Sequence, residues 1–192
     1  MTNPRNVAAY ILDAVGEEIS SYRLQKLLYY ADAWFLVANG ERPLFAEAPI
    51  AYENGPLIYS VWKLHERQFK VAAANFAQHR AELSTEEMDV IDEVLRYYGR
   101  FSTKELVDRT HAEAPYKEAW AKHPHNTRMS ISLMREFYSE QLVASDQHPA
   151  IRTLTRTYLP ATEFIDLADE ENGEPPAELV AAYRSRRGRS EA

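Results

Sequence analysis

The side chains able to do chemistry form few sets at usable spacing. His111 and Glu113 lie two apart, which on a helix puts them on nearly opposite sides, so they share a metal only if the helix ends between them, as Pro115 allows. His123 and His125 flank Pro124 in an expected loop and offer two ligands without an indicated third. His65-Glu66 lacks the second histidine of a zinc-hydrolase helix and reads as a packed histidine. Glu86 and Glu87 follow Ser84 and Thr85 as part of a helix capping box rather than as an acid-base pair. With 6 glycines there is no Gly-rich phosphate loop or nucleophile elbow, and with no cysteine there is no disulfide, thiolate nucleophile or thiolate metal site. The expectation is a protein that is not an enzyme, with no catalytic residue, metal or cofactor, in which Thr110-His111 serves a structural hydrogen bond between the short helices. A metal-dependent hydrolase is the weakest of the function classes considered.

Something must position these groups, and the longest helical pattern is residues 21–40. Leu24, Leu27, Leu28, Ala31, Phe35 and Ala38 recur at three- and four-residue steps, and Tyr30, Trp34 and Val37 widen that stripe beyond what a surface helix needs. The opposite strip, Tyr22, Gln25, Tyr29 and Asp32, mixes tyrosine rings with hydrogen-bonding groups, and is either a second, more polar packing seam or an exposed contact surface. Before this helix, Asn3 and Pro4 start another that Gly16 ends. After it, Pro43, Pro49, Gly55 and Pro56 leave room only for short extended pieces near 44–45 and 50–52. A third helix is expected from Pro56 to about Gln68, and residues 70–83 fit no element. Capping boxes at Ser84 and Ser102, Pro115, and Ser130 with Ile131, Met134, Tyr138 and Leu142 mark four further helices.

The chain has 192 residues, 45% hydrophobic and 27% charged, which bounds it to one ordinary folded domain with an added segment. The expected fold class is mainly α: a compact helical domain over residues 1–145 around a central buried helix, with at most a short β-hairpin from residues 43–52. Residues 146–192 form a C-terminal extension, with a possible strand at 151–159, an acidic stretch at 162–174 and an arginine cluster at 184–189. A formal net charge of -7 argues against nucleic acid as a partner, although the arginine cluster keeps a DNA-binding regulator of its own operon as the alternative function. The opening residues do not resemble a signal peptide and no run approaches a membrane span, so a cytoplasmic location without membrane partners is expected.

A family resemblance runs through five pieces in order: residues 24–34 (LQKLLYYADAW) with Gly40; Pro43-Leu44-Phe45; Tyr52-Glu53-Asn54-Gly55-Pro56; Leu106 with Thr110-His111; and Ala114-Pro115-Tyr116. Together they resemble the Panacea domain of SocA-like antitoxins and phage-associated proteins over roughly residues 3–142. The chain departs from the pattern at Glu53 and Asn54, where the family usually has an aromatic and a basic residue, and at Tyr116, where tryptophan is frequent. The resemblance implies an antitoxin of a toxin-antitoxin system that neutralises a cognate protein toxin encoded nearby by direct binding, and in the SocA branch also presents it to a protease or its unfoldase. With 12 tyrosines and 3 tryptophans the chain is rich in the rigid side chains that anchor interfaces. By wheel position, Tyr22, Arg23, Lys26 and Tyr29, with the Gly55-Pro56 turn, are the expected protein-binding residues. Tyr22 and Tyr29 are expected to be dispensable for folding. Oligomeric state is not readable.

Overall fold

The computed structural model describes residues 1–40, 42–124, 127–144 and 147–151. Helix α1 (Pro4–Val15) opens on Asn3, whose side chain accepts from the Arg5 N–H at 3.0 Å, and stops at Gly16, where φ is 71° and the amide bonds back to Leu12. Strand β1 (Ile19–Ser20) then leads directly into α2 (Ser21–Asn39), the central helix. Every residue from Leu24 to Ala38 is buried. Such enclosure is what an apolar stripe on one side and a hydrogen-bonding strip on the other produce together, once each polar group on the second side has a partner.

The hairpin of β2 (Ile50–Tyr52) and β3 (Gly55–Leu57) follows, with Tyr52 opposite Gly55 and Glu53-Asn54 at the turn. It lies slightly later than expected, because the partner of β2 is the segment containing Pro56 and not residues 44–45. Pro56 is tolerated there since β3 is an edge strand paired only with β2, whose own free edge is covered by residues 127–129: Ala51 N–H reaches Thr127 O at 2.8 Å and Met129 N–H reaches Pro49 O at 2.7 Å. The expected third helix shrinks to one turn, α3 (Tyr59–Trp62). Leu64 and His65 continue with tight bonds to the residues three back, and Arg67, at φ 68°, turns the chain out of helical conformation. Phe69, in phase with the expected helix, is therefore 74% exposed.

Residues 70–83 acquire structure that no local pattern announces: β4 (Lys70–Val71) pairs antiparallel with β1, and Ala73–His79 form a 3-10 helix against α1. Helices α4 (Thr85–Tyr98) and α5 (Thr103–Ala112) begin with the two capping boxes, Ser84 with Glu87 and Ser102 with Glu105. Then come α6 (Ala114–Lys122) and α7 (Ile131–Ala144), the latter with Ser130 Oγ accepting from Leu133 N–H at 3.2 Å. Helices α1, α4, α5 and α7 and strand β3 all pack on α2. The protein is thus mainly α, with two small two-stranded sheets among the described residues. The expected strand at 151–159 (apart from Ile151), the acidic stretch and the arginine cluster lie outside the described residues, as does His125.

Candidate functional site

Polar residues of α2 divide between two places. Toward its middle, Tyr29 and Tyr30 donate their hydroxyls to Glu113, at 3.1 and 3.0 Å, and Tyr138 of α7 donates to the same carboxylate at 2.7 Å. Glu113 occupies the corner where α5 gives way to α6, and as a residue it is half-buried, but its carboxylate is enclosed by three fully buried tyrosines. Burial pushes this carboxyl up to about 7 even though the three hydroxyls favour its ionised form, and burial beside it pushes the tyrosines well above their usual range. Tyr30 stacks on Tyr98 with centroids 3.7 Å apart, and Trp34 Nε1 donates to the Tyr98 hydroxyl at 3.0 Å, so the cage extends to α4. One turn further along α2, Asp32 accepts from the Leu44 and Phe45 amides at 2.9 and 3.2 Å and so fixes residues 44–45 to the helix, while burial raises it to about 7.

At the amino end of α2 the arrangement is open. Gln25 accepts from the Ile58 N–H at 2.8 Å and its amide nitrogen stands 2.9 Å from His65 Nε2, which ties the short α3 turn to the helix. Lys26, only 2% exposed, donates from Nζ to Pro56 O at 2.7 Å. These two form part of the wall of a small open cleft, bounded on one side by the hairpin residues Asn54, Gly55 and Leu57 and on the other by the 65–69 turn, with Tyr22 also lining it. Gly55, at φ 88°, has no room for a side chain: a Cβ there would fall 2.6 Å from Thr110 Oγ1 and 2.7 Å from Lys26 Cε. The hairpin therefore seats on Lys26 and on α5 through a glycine.

Three of the six expected binding residues, Tyr22, Lys26 and Gly55, meet at this cleft, and Pro56 supplies the acceptor for Lys26. The other two are elsewhere. Arg23 donates to the Phe101 carbonyl and to Gly99 O (2.5 Å), which holds the α4–α5 link against the start of α2. Tyr29 is fully buried in the Glu113 cage. This corrects the expectation that Tyr29 is dispensable for folding; of the two readings of the opposite strip, the polar packing seam holds for Gln25, Tyr29 and Asp32 because α2 is wrapped on all sides. His111 and Glu113 do not converge: His111 stacks on Tyr116 at 4.6 Å while Glu113 faces the tyrosines. Thr110 Oγ1 donates to Val107 O at 2.9 Å, a bond within α5 and not the expected one between the short helices. Sequence reasoning missed the tyrosine cage. Its available signal was an acidic residue directly before an Ala-Pro helix start, with the paired Tyr29-Tyr30 left without a partner.

No helix among the described residues is long and apolar enough to cross a membrane. Neither the curated proteins nor the solved structures contain a match to this chain. A family model does match. Residues 24–117, from the buried stripe of α2 through the hairpin and the Glu113 corner into α6, match the family described as antitoxin SocA-like, Panacea domain.

Proposed function

We propose that this protein is an antitoxin that neutralises a cognate protein toxin, encoded nearby, by binding it directly in the cytoplasm and without catalysis. The observation that carries the reading is the match of residues 24–117 to the SocA-like antitoxin domain. Two features of the structure support it: the polar groups of α2 that resemble chemistry serve packing at Glu113 and Asp32, and the cleft beside Tyr22, Lys26 and Gly55 offers aromatic and hydrogen-bonding surface of the kind interfaces use. Presentation of the bound toxin to a protease or its unfoldase, as the SocA branch implies, is part of the same reading. So is a division into a helical domain over residues 1–145 and an extension over 146–192 that supplies partner-specific contacts.

Co-expression with each adjacent open reading frame in a growth assay tests this. A neighbour that arrests growth alone and not with this chain, and that co-purifies with it, is the expected result. Growth arrest unrelieved by the chain for every neighbour overturns it. If rescue occurs, toxin levels that fall only in cells with the protease intact mark delivery, and unchanged levels mark occlusion. Rescue that survives in the full-length chain but fails in a 1–160 truncation places recognition in the extension.

A further inference from the structure

Lys26 is buried without an opposite charge. Desolvation of an ammonium costs several kcal/mol unless other groups replace its water, and its Nζ has three N–H directions to satisfy. The hydrogen bond to Pro56 O uses one. No carboxylate among the described residues stands near enough to hold the charge, and burial alone lowers its pKa to about 7. By contrast the fold's buried acids, Asp32 and Glu113, are met by two and three donors. Lys26 thus stands in the wall of an open cleft with N–H capacity left for a ligand.

The cleft itself is selective in charge. The chain carries 29 acidic residues against 22 basic ones, yet none of the residues lining this cleft is acidic; Glu53 and Glu66 adjoin it in sequence and do not line it. Arg67 does line it, held there by the left-handed turn at φ 68° that no glycine relieves. Beside Arg67 the Phe69 ring stands 74% exposed. The first turn of α2, which also borders the cleft, has no acidic side chain to occupy its positive end.

We propose that this cleft receives an acidic side chain from a segment of the protein partner, its carboxylate seated against Lys26 Nζ with Arg67 at the rim, and the residue after the acid lying on the Phe69 ring. This rests on the reading that the protein acts by binding another protein, and it names the chemistry of the recognised segment. A phosphate-selective site would use the same cations, so inorganic phosphate is one arm of the test.

The probes are a blocked Glu-Phe dipeptide, its Gln-Phe counterpart and inorganic phosphate, titrated into the full chain while the amide NMR signals of Lys26, Gly55 and Phe69 are followed. Glu-Phe should shift these signals saturably at millimolar concentration, and Gln-Phe should need about tenfold more, the worth of one charge-assisted hydrogen bond. Lys26→Met should abolish the preference. Should that variant unfold, the wild-type comparison of Glu-Phe with Gln-Phe decides alone, and the exposed Arg67→Gln, which leaves the core untouched, should narrow the preference. Equal binding of the two dipeptides, no shift with Glu-Phe, an undiminished preference in a folded Lys26→Met protein, or phosphate acting at the same concentrations as Glu-Phe each overturns the proposal. A folded Lys26→Met chain that rescues growth as well as wild type also overturns it while leaving the antitoxin reading standing. A wild-type chain that rescues from no neighbouring toxin overturns that reading, and the titration then judges the cleft by the same criteria.

Discussion

Glu113 and Lys26 are both pushed to about 7 by burial, from ordinary values of 4.5 and 10.5; Lys26 belongs to the central helix and Glu113 is held by two of that helix's tyrosines. Their surroundings differ. Three tyrosine hydroxyls from α2 and α7 converge on Glu113 inside packed rings, whereas Lys26 has one carbonyl and an open cleft. Burial and a perturbed pKa are therefore poor guides to function by themselves; the number of partners and the access to solvent separate a charge that organises the fold from one that waits for a ligand.

The largest effect should come from breaking the organised charge. Glu113→Ala strands three buried tyrosine hydroxyls, each able to cost about 1–3 kcal/mol when left unpaired, and a total loss of about 3–5 kcal/mol is expected from urea midpoints. Lys26→Met should do the opposite, leaving the midpoint at or above wild type, because a buried unpaired cation is replaced by an apolar stem of similar reach. Were Lys26→Met the more destabilising of the two, the distinction between the sites would fail. Leu28→Ala gives the apolar reference: Leu28 is fully buried in the main stripe, and the cavity should cost about 2–5 kcal/mol.

How legible these features were follows from the range of the forces involved. Helix starts at Asn3, Ser84 and Ser102 are local, because a cap and the amide it accepts from, two or three residues on, sit within one turn, and the sequence shows the caps. The buried stripe of α2 was legible for the same reason. What was not legible is what α2 meets. Gln25 pairs with Ile58 and His65, and Tyr29 with Glu113, across 33 to 84 positions, so the wheel shows a polar strip but not whether protein or solvent satisfies it. The third helix was over-extended because Ile58, Val61, Trp62 and His65 keep helical spacing while Arg67 adopts a left-handed conformation that no glycine announces. The cleft was partly legible: Tyr22, Lys26 and Gly55 were singled out, but of the residues that close its other side Arg67 was hidden inside that over-long helix and Phe69 stood in phase just past its expected end.

Next in size is the pH dependence of stability, in which the two charges should act in opposite directions. Between about 4.5 and 7 the unfolded chain releases the Glu113 proton that the folded chain keeps, so this group makes stability fall as pH rises through that window. Between about 7 and 10.5 the unfolded chain holds the Lys26 proton that the folded chain has shed, so this group makes stability rise with pH. Each contributes at most about 1.4 kcal/mol per pH unit. Subtracting wild-type from variant unfolding curves isolates the pair: Glu113→Gln should gain relative to wild type from pH 5 to 7, and Lys26→Met should lose its advantage from pH 7 to 10. Differences that are flat with pH in both variants would remove the assigned charges from the account.

The smallest stability effect should belong to Tyr22, and it separates surface from scaffold at the start of α2. Tyr22 lines the cleft and is only half-buried, so Tyr22→Ala should change the urea midpoint by about 1 kcal/mol or less. Its neighbour Arg23 points to the carbonyls of Gly99 and Phe101, and there the alanine variant should cost more, since those carbonyls at the end of α4 lose a charged donor. In toxin rescue the order should reverse. Tyr22→Ala removes a ring from the mouth of the cleft without disturbing the fold, and should weaken protection at unchanged far-ultraviolet circular dichroism. Arg23→Ala should protect as wild type at low temperature and fail only as the chain unfolds. Protection lost in parallel with stability in both variants would mean that the start of α2 serves the scaffold alone, and the cleft would then have to bind through the hairpin and the 65–69 turn.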